Sequence, residues 1–530
     1  MMFKNPEHTC IIINKETQHD TCIALIKDNK LECILETERV TKHKHAEFDQ
    51  PENELIPYII NKYNLSKDIP VYDETVLARY KYSKHHELHA LSSFLSSGYD
   101  KACILVIDGA GDLNDSITLY YGEGENLTEI KKYYAEGSLG MMYEAASSLL
   151  YKTPFSEGKL MGLSCCNEPD KDIISPIEYD EDGNLKLNYI LNEINDSSSS
   201  IKTYIRSKFA YLFNDSEVLN NDVYKAKIAA TVQNWFTEQV INLVKYLKKL
   251  YPNVDNLCLA GGCFLNCETN GIIDQLDIFK NIYCIPAPAD NGLLLGKVQQ
   301  ILPEPTKIES PYFGPKQYKT FEQLKEIFWI NGEDSTIDNI DNFVEYDVNW
   351  VIDKLKQNKV IIWFDGESEF GPRALGHRSF LANPSTNKMF WDLSVGIKQR
   401  ESYRPLAPIV IDKLYTKIFE DKHPNNLTTF MLKTVRIKDE WIDKLPAITH
   451  INKTARPQML KEEVNPALYK LLDEFYKETG IPCLINTSLN LKNQPLLETY
   501  SDLITLIRDL KVSGNKTSVV INHSLCFDIN

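Results

Sequence analysis

The hydrophobic pattern breaks the chain into short strands, long helices and polar punctuation. Three β-type runs at 11–13, 21–26 and 31–36 are separated by turn residues and predict a strand meander. The run at 102–107, Ala-Cys-Ile-Leu-Val-Ile, is continuously apolar and ends in Asp108-Gly109-Ala110-Gly111-Asp112. It predicts a strand buried on both faces, followed by a tight turn. The run 257–260 before Gly261-Gly262 repeats that design, as does 282–285 before Pro286. Ligands gather at the carboxyl ends of strands in open α/β sheets, so these three strand ends predict one cleft. Between them, 224–250 carries a helical apolar period at Ile228, Val232, Trp235, Val240 and Leu243. Residues 167–200 are polar, end in four serines and predict a surface insertion.

Pro303, Pro305, Pro311 and Pro315 mark a break. They predict a first domain over 1–305, a linker over 306–340 and a second α/β domain over 341–530. Composition fits that picture: 530 residues, 43% hydrophobic and 25% charged, describe a globular protein of several domains and exclude a largely disordered one. Twelve cysteines without a CxxC pair are too sparse for a disulfide framework. No apolar run reaches the roughly 20 residues of a membrane span, and the first residues lack the apolar core of a secretory signal. The expectation is a cytoplasmic protein with reduced thiols and no membrane partner. The net charge is −16, and residues 341–530 carry +1 of it, so the acidity lies in the first part. That argues against nucleic acid as a partner and makes the second part the home for anionic substrates.

Chemistry concentrates in three places. His85 and His89 are four apart, share a face if helical, and suit two imidazole ligands of one divalent metal. A further ligand must come from elsewhere, and Asp290 and Asp108, both at strand ends, are the candidates. The Gly-rich turns at 109–111 and 261–262 let backbone amides approach a phosphate, while the absence of GxxxxGK[ST] excludes a P-loop. The third place is 366–380, where Arg373, His377 and Arg378 follow Gly371-Pro372 with no acid among them; Lys398, Arg400 and Arg404 come next, and Arg456 and Asn486-Thr487-Ser488 later. Arginine suits bidentate contact with phosphate or carboxylate.

These residues resemble the O-carbamoyltransferase family of antibiotic and nodulation-factor biosynthesis nearly end to end. The resemblance rests on His19-Asp20, Glu38-Arg39-Val40-Thr41-Lys42-His43-Lys44-His45, His85-His86-x-x-His89 and Asp108-Gly109-x-Gly111. It continues through Ser138-Leu139-Gly140, Gly158-Lys159-x-Met161-Gly162-Leu163 and Gly261-Gly262-x-x-Leu265-Asn266. It ends with Gly371-Pro372-Arg373-Ala374-Leu375-Gly376-x-Arg378-Ser379, Lys398-x-Arg400-Glu401-x-x-Arg404-Pro405 and Asn486-Thr487-Ser488-x-Asn490. The run Asn452-Lys453-Thr454-Ala455-Arg456 departs from the family's Asp-Gly-Thr-Ala-Arg. The resemblance implies an α/β protein with an actin/Hsp70-like (ASKHA) amino-terminal domain, similar to the tRNA threonylcarbamoyl-transfer protein, and a YrdC-like carboxy-terminal domain. It implies that carbamoyl phosphate and ATP, with Mg2+, give carbamoyl-adenylate and pyrophosphate, and that the carbamoyl group passes to a hydroxyl of a small-molecule acceptor. Arg373, Arg378, Lys398, Arg404, Arg456, Asn486 and Ser488 are then the activating residues. His85, His89 and Asp290 are the ligands of Fe2+ or another divalent metal. Asp108, Gly109, Gly111, Lys159, Gly261, Gly262 and Asn266 lie along the nucleotide. His19, with Asp20 beside it, is the expected general base. The competing expectations are a tRNA-modifying subunit, which the acidic first part disfavours, and a non-catalytic nucleotide-binding protein, which needs neither the arginines nor the histidines.

Overall fold

The structure is a computed structural model. It describes residues 8–15, 20–44, 52–73, 76, 78, 80–190, 197–213, 222–330, 343–512 and 517–529. The meander is β1 (Cys10–Asn14), β2 (Cys22–Lys27) and β3 (Lys30–Glu36), joined by a short β4 (Val71–Tyr72). Its order is β3-β2-β1-β4, antiparallel except for β4, which runs parallel to β1. A second sheet follows from β5 (Lys101–Ile107), β6 (Asp115–Glu123) and β7 (Asn126–Tyr134). A small hairpin of β8 (Ile177–Tyr179) and β9 (Leu185–Leu187) stands apart, and β10 (Asn256–Ala260) and β11 (Asn281–Cys284) complete the sheet. Its order is β7-β6-β5-β10-β11, again antiparallel hairpins on one side of the first strand and parallel strands on the other. The chain therefore builds the same arrangement twice.

The two sheets stack through helices. Cys10 and Ile12 of β1 face a core shared with the helices His85–Ser97 and Leu293–Ile301 and with Ile104 of β5, whereas Ile11 and Ile13 face the helix Glu52–Tyr63. That is the alternation of a strand covered on both faces. The far face of the second sheet packs against Leu139–Tyr151 and Asp222–Leu250, and all five periodic residues of the latter are buried as the pattern requires. Residues 167–200 are not simply a surface insertion. Ile177 and Tyr179 alternate inward from β8, and the Tyr179 hydroxyl donates to the Gly137 carbonyl at 2.6 Å.

The third sheet has eight strands: β12 (Val344–Glu345), β13 (Val360–Phe364), β14 (Arg378–Ala382), β15 (Ala407–Ile411), β18 (Gln458–Leu460), β19 (Leu484–Ser488), β20 (Thr517–Ile521) and β21 (Leu525–Ile529). A two-stranded ribbon of β16 (Val435–Arg436) and β17 (Thr454–Ala455) lies outside it. The sheet order is β12-β21-β20-β13-β14-β19-β15-β18, a mixed α/β sheet with its own core. The helix Phe321–Ile330 falls inside the range expected to be linker, yet Leu324 and Phe328 are buried in this core. Just before it, the Phe313 carbonyl accepts from Ile34 N while Phe313 N donates to Ser368, so this stretch runs between the first and third sheets.

Candidate functional site

The first centre forms where three strand ends meet one helix start. The helix His85–Ser97 begins at His85, whose N–H donates to Asp112 at 3.0 Å. Residues four apart stack on one face there, which sends both Nε2 atoms toward the end of β5. Asp108 Oδ2 lies 3.3 Å from His85 Nε2 and 3.1 Å from His89 Nε2. Asp290 opens the turn after β11 and places Oδ1 3.5 Å from His85 Nε2 and 3.4 Å from His89 Nε2. One ligand atom from each of the four residues falls within 4.8 Å of the others. Asp108, expected along the nucleotide, thus stands with the histidines and Asp290. Its other oxygen accepts from Gly109 N at 2.8 Å. Gly111 has to be glycine because a Cβ would lie 2.9 Å from the His85 ring. Gly261 has a left-handed φ of 97°, and a Cβ there would lie 2.2 Å from Ile107 O.

The electrostatics of this cluster call for a cation. Burial pushes the His85 imidazole down, but its hydrogen bonds to the Asp108 and Asp290 carboxylates outweigh that and raise the group to about 10; the same causes raise His89. Burial opposes ionisation of Asp108, yet the two imidazoles hold it well below the usual carboxylate range. Two imidazole nitrogens and two carboxylate oxygens held this close are a donor set for a divalent transition metal such as Fe2+, so the residues fit the expected group. His86 is not part of it. Its Nδ1 lies 2.7 Å from Thr118 Oγ1, and burial, with His89 beside it, lowers it to about 3. His19 lies outside the described residues. Asp20 has a left-handed φ of 61°, close to Cys22, whose thiol donates to Asn291 O next to Asp290.

The second centre is a cavity of about 130 Å3 walled by both parts of the chain. The amino-terminal part contributes Gly158, Met161 and Gly162 of the helix Glu157–Ser164, with Cys267 and Glu268; the carboxy-terminal part contributes Arg373, Arg400, Arg404, Arg456, Asn486 and Ser488. Arg373 Nη2 donates to Leu265 O at 3.2 Å, and Arg400 donates to Thr487 Oγ1 at 3.1 Å and Ser488 Oγ at 3.2 Å. Lys398 is one step back, its Nζ donating to Ser488 O at 2.6 Å. Burial, then repulsion from Arg456 for Arg373 and from Arg404 for Arg400, disfavours the charged guanidiniums. An arginine does not surrender its proton, so the cavity attracts an anion instead. Lys159 lies 3.3 Å from Glu401, which also pairs with Arg404, placing it at this cavity's rim and not at the metal-type cluster.

Arg378 does not join the cavity, contrary to expectation. It is fully buried over the Phe364 ring at 3.7 Å, and all three of its nitrogens donate to backbone carbonyls, including those of Leu497 and Gly366. Asn266 caps the helix Cys267–Gln275 and bonds Gln233. Its turn nevertheless links the centres: a Cβ on Gly262 would approach Asp108 at 3.3 Å, and Leu265 O holds Arg373. A second link was not foreseen. Buried Arg39 donates to Glu36 Oε2 (2.8 Å), Glu369 O (3.0 Å) and Gly371 O (2.8 Å), while Glu36 also accepts from Gly371 N and Asn291 Nδ2. Glu38-Arg39 gave the motif, but no local pattern tells that the arginine reaches 332 residues along the chain.

The chain is similar to known carbamoyltransferases. A model of the carbamoyltransferase N-terminus matches residues 71–298, and one of the carbamoyltransferase C-terminus matches residues 352–524. Nodulation protein NolO of Bradyrhizobium diazoefficiens is 30% identical over 443 residues, 81% of this chain and 77% of NolO. The 3'-hydroxymethylcephem-O-carbamoyltransferase of Amycolatopsis lactamdurans is 30% identical over 302 residues, 55% of this chain and 53% of that enzyme. Among solved structures, T. kodakarensis HypF aligns with a TM-score of 0.33 at 11% identity, over 55% of this chain and 47% of HypF. The chain belongs to the O-carbamoyltransferase family and is a carbamoyltransferase. Among the described residues no helix is long and apolar enough to cross a membrane.

Proposed function

We propose that the chain is an ATP-dependent O-carbamoyltransferase of the cytoplasm, acting on a hydroxyl of a small natural product or sugar. The observation that carries this reading is the anion-seeking cavity between the two parts of the chain, joined through the 261–266 turn to a four-ligand cluster. The duplicated sheet arrangement supports an ASKHA-like first domain, and the mixed eight-stranded sheet is compatible with a YrdC-like second one.

Atom balance sets the order of events. Water releases inorganic phosphate from carbamoyl phosphate and leaves carbamate. A carbamate oxygen attacks the α-phosphorus of ATP, which enters with Mg2+; the α–β phosphoanhydride bond breaks, pyrophosphate leaves and carbamoyl-adenylate remains. The acceptor hydroxyl then attacks the carbamoyl carbon and AMP departs. Arg373, Arg400, Arg404 and Arg456 bind the phosphates and the charge that develops on the leaving pyrophosphate. Ser488 Oγ accepts from Lys398 and Arg400 and donates to Asn490 Oδ1 at 2.8 Å, which fixes the two cations beside the cavity. Closure between domains keeps water from the mixed anhydride once it has formed. His85, His89, Asp108 and Asp290 would hold the metal, Fe2+ or a relative, which supplies Lewis acidity toward the carbamoyl carbonyl. His19 takes the acceptor's proton, with Asp20 beside it.

Separating the half-reactions tests this. Labelled ATP and carbamoyl phosphate without acceptor should yield carbamoyl-adenylate in the wild type and in His85→Ala, and at least about 10-fold more slowly in Arg456→Ala. Loss of adenylate in His85→Ala would contradict the division of labour.

A further inference from the structure

The two centres share one stretch of chain. Residues 286–289 lead from β11 to Asp290, and the carboxy-terminal part rests on them. Gly371 has a φ of 96°, and a Cβ there would lie 2.8 Å from Pro286 O and 2.9 Å from the Ala287 side chain. Phe370, one residue earlier, is buried in the same core as Ile285 and Ala287. The turn itself is tight: Gly261 N donates to Pro288 O at 2.9 Å, and Gly292 N to Ala289 O at 2.7 Å. Arg373, on the anion cavity, follows Gly371 by two residues.

Side chains make the same connection. Asn14 Nδ2 donates to Asp290 O at 3.1 Å, and Lys297 Nζ to Asn14 Oδ1 at 2.8 Å, so the first sheet holds the backbone of this ligand from one side. On the other side, Asn291 Nδ2 donates to Glu36 Oε1 at 2.7 Å and Gly371 N to Glu36 Oε2 at 3.2 Å. Arg39 closes the arrangement by donating to both Glu36 Oε2 and Gly371 O. One carboxylate is thus held between the residue that follows a cluster ligand and the loop that carries Arg373. Asn291, Glu36 and Arg39 are all buried. Packed interiors transmit a displacement instead of absorbing it.

We infer that Glu36 is a positioning residue for both centres, so that a metal in the histidine–aspartate cluster and an anion at Arg373 each strengthen the binding of the other. The inference rests on the two-centre reading above. A metal that anchors Asp290 stiffens the stretch before it. The Gly371 loop, held to that stretch through Asn291 and Glu36, is ordered with it, and less ordering is left for an anion to impose on Arg373. Linkage makes the effect equal in both directions. The consequence is that the carbamoyl donor collects on chains whose transfer centre is loaded. Since the coupling acts on affinity, saturating donor overrides it, and a chain without metal still forms the adenylate.

Calorimetry on the full chain reads the coupling. The probe is phosphonoacetamide, in which a methylene replaces the bridging oxygen of carbamoyl phosphate, and the metal is Co2+. Protein saturated with Co2+ should bind the probe roughly 5- to 10-fold tighter than chelator-treated protein, and saturating probe should tighten Co2+ by the same factor in chelator competition. Asn291→Ala removes the arm between Asp290 and Glu36 and leaves the four cluster ligands and the cavity arginines in place. Its factor, measured at saturating Co2+, should fall below about 2. A merely structural loss would weaken the probe equally with and without metal and leave the factor unchanged. His86→Gln, beside the cluster but off this route, should keep the wild-type factor. A full factor in Asn291→Ala, or a factor lost in His86→Gln, would overturn the inference. If Asn291→Ala does not fold, Glu36→Gln/Arg39→Met takes its place, and a full factor there overturns it. Wild-type protein that binds Co2+ and probe independently defeats this inference alone; failure to bind Co2+, or to bind the probe and carbamoyl phosphate itself, defeats the two-centre reading with it.

Discussion

Arg39→Met removes the side chain that ties the first sheet to the Gly371–Arg373 loop. Arg39 is 1% exposed and makes three hydrogen bonds, one to a buried carboxylate and two to carbonyls across the domain boundary. Burial already pushes the Glu36 carboxyl up and Arg39 is the main group holding it down, so the methionine variant leaves an uncompensated buried acid. Breaking a buried pair from one side costs roughly 3–5 kcal/mol. With Arg39 gone, nothing of comparable strength opposes the upward push of burial on Glu36, and protonation of that carboxyl limits the loss toward the lower figure. The companion variant Glu36→Gln/Arg39→Met removes the stranded charge and should recover more than half of the deficit. The assay is urea unfolding of the two variants and the wild type, read by tryptophan fluorescence and far-ultraviolet circular dichroism. Since Gly371 N and Gly371 O are both held by this pair, Arg39→Met should also weaken phosphonoacetamide binding through the displaced Arg373. A loss under about 1 kcal/mol, the range of an exposed pair, or a double variant less stable than Arg39→Met, would refute the reasoning.

Three more outcomes follow from the geometry. Asp108→Asn should lower divalent-metal affinity by at least about 100-fold, more than the usual effect of a group merely supporting a ligand, whereas His86→Gln should retain the metal; chelator competition reads both. Gly261→Ala forces a side chain into a left-handed φ and into Ile107 O, so its unfolding midpoint should fall by the equivalent of at least roughly 2 kcal/mol. Burial works against the Asp528 carboxylate, but Lys354, Ser518 and Lys359 hold it below its ordinary value. A depressed carboxyl contributes stability above its unfolded pKa, about 3.9, and loses it as pH falls through the lower folded value. Asp528→Asn should therefore lower the melting temperature by a constant amount from pH 7 to about 5, with the difference shrinking as pH falls below about 3.9.

Much of this arrangement is written locally. The β-type runs, the buried strand ends at Asp108 and Gly261 and the long periodic helix all announce themselves, because alternation and helical period report burial directly. The histidine pair is legible for the same reason: a spacing of four on a helix is a geometric statement. What the sequence withholds is long-range. Asp108 reads both as a candidate ligand and as a nucleotide-side turn residue until the sheet sets β5 and β11 on either side of β10 and brings its carboxylate to the histidines with Asp290. Arg378 reads like Arg373, five residues before it, yet one closes a loop from within and the other faces the cavity. Nothing near Glu36 tells that it accepts from Gly371 N, and nothing near Gln458 tells that it meets the Asn486 amide across the intervening strand β15. The apolar half of Phe321–Ile330 is hidden by the prolines before it, which read as linker.

The central claim is that one chain activates the carbamoyl group before transferring it, and the most direct measurement is ATP–pyrophosphate exchange. Purified, metal-replete protein with ATP, magnesium and labelled pyrophosphate should show exchange that depends on carbamoyl phosphate and needs no acceptor. Arg373→Ala or Arg456→Ala, each removing a charge-assisted phosphate contact worth about 1.5–3 kcal/mol, should slow it at least about 10-fold. A folded protein that transfers the carbamoyl group to an acceptor, yet shows no exchange with or without that acceptor, would contradict the account.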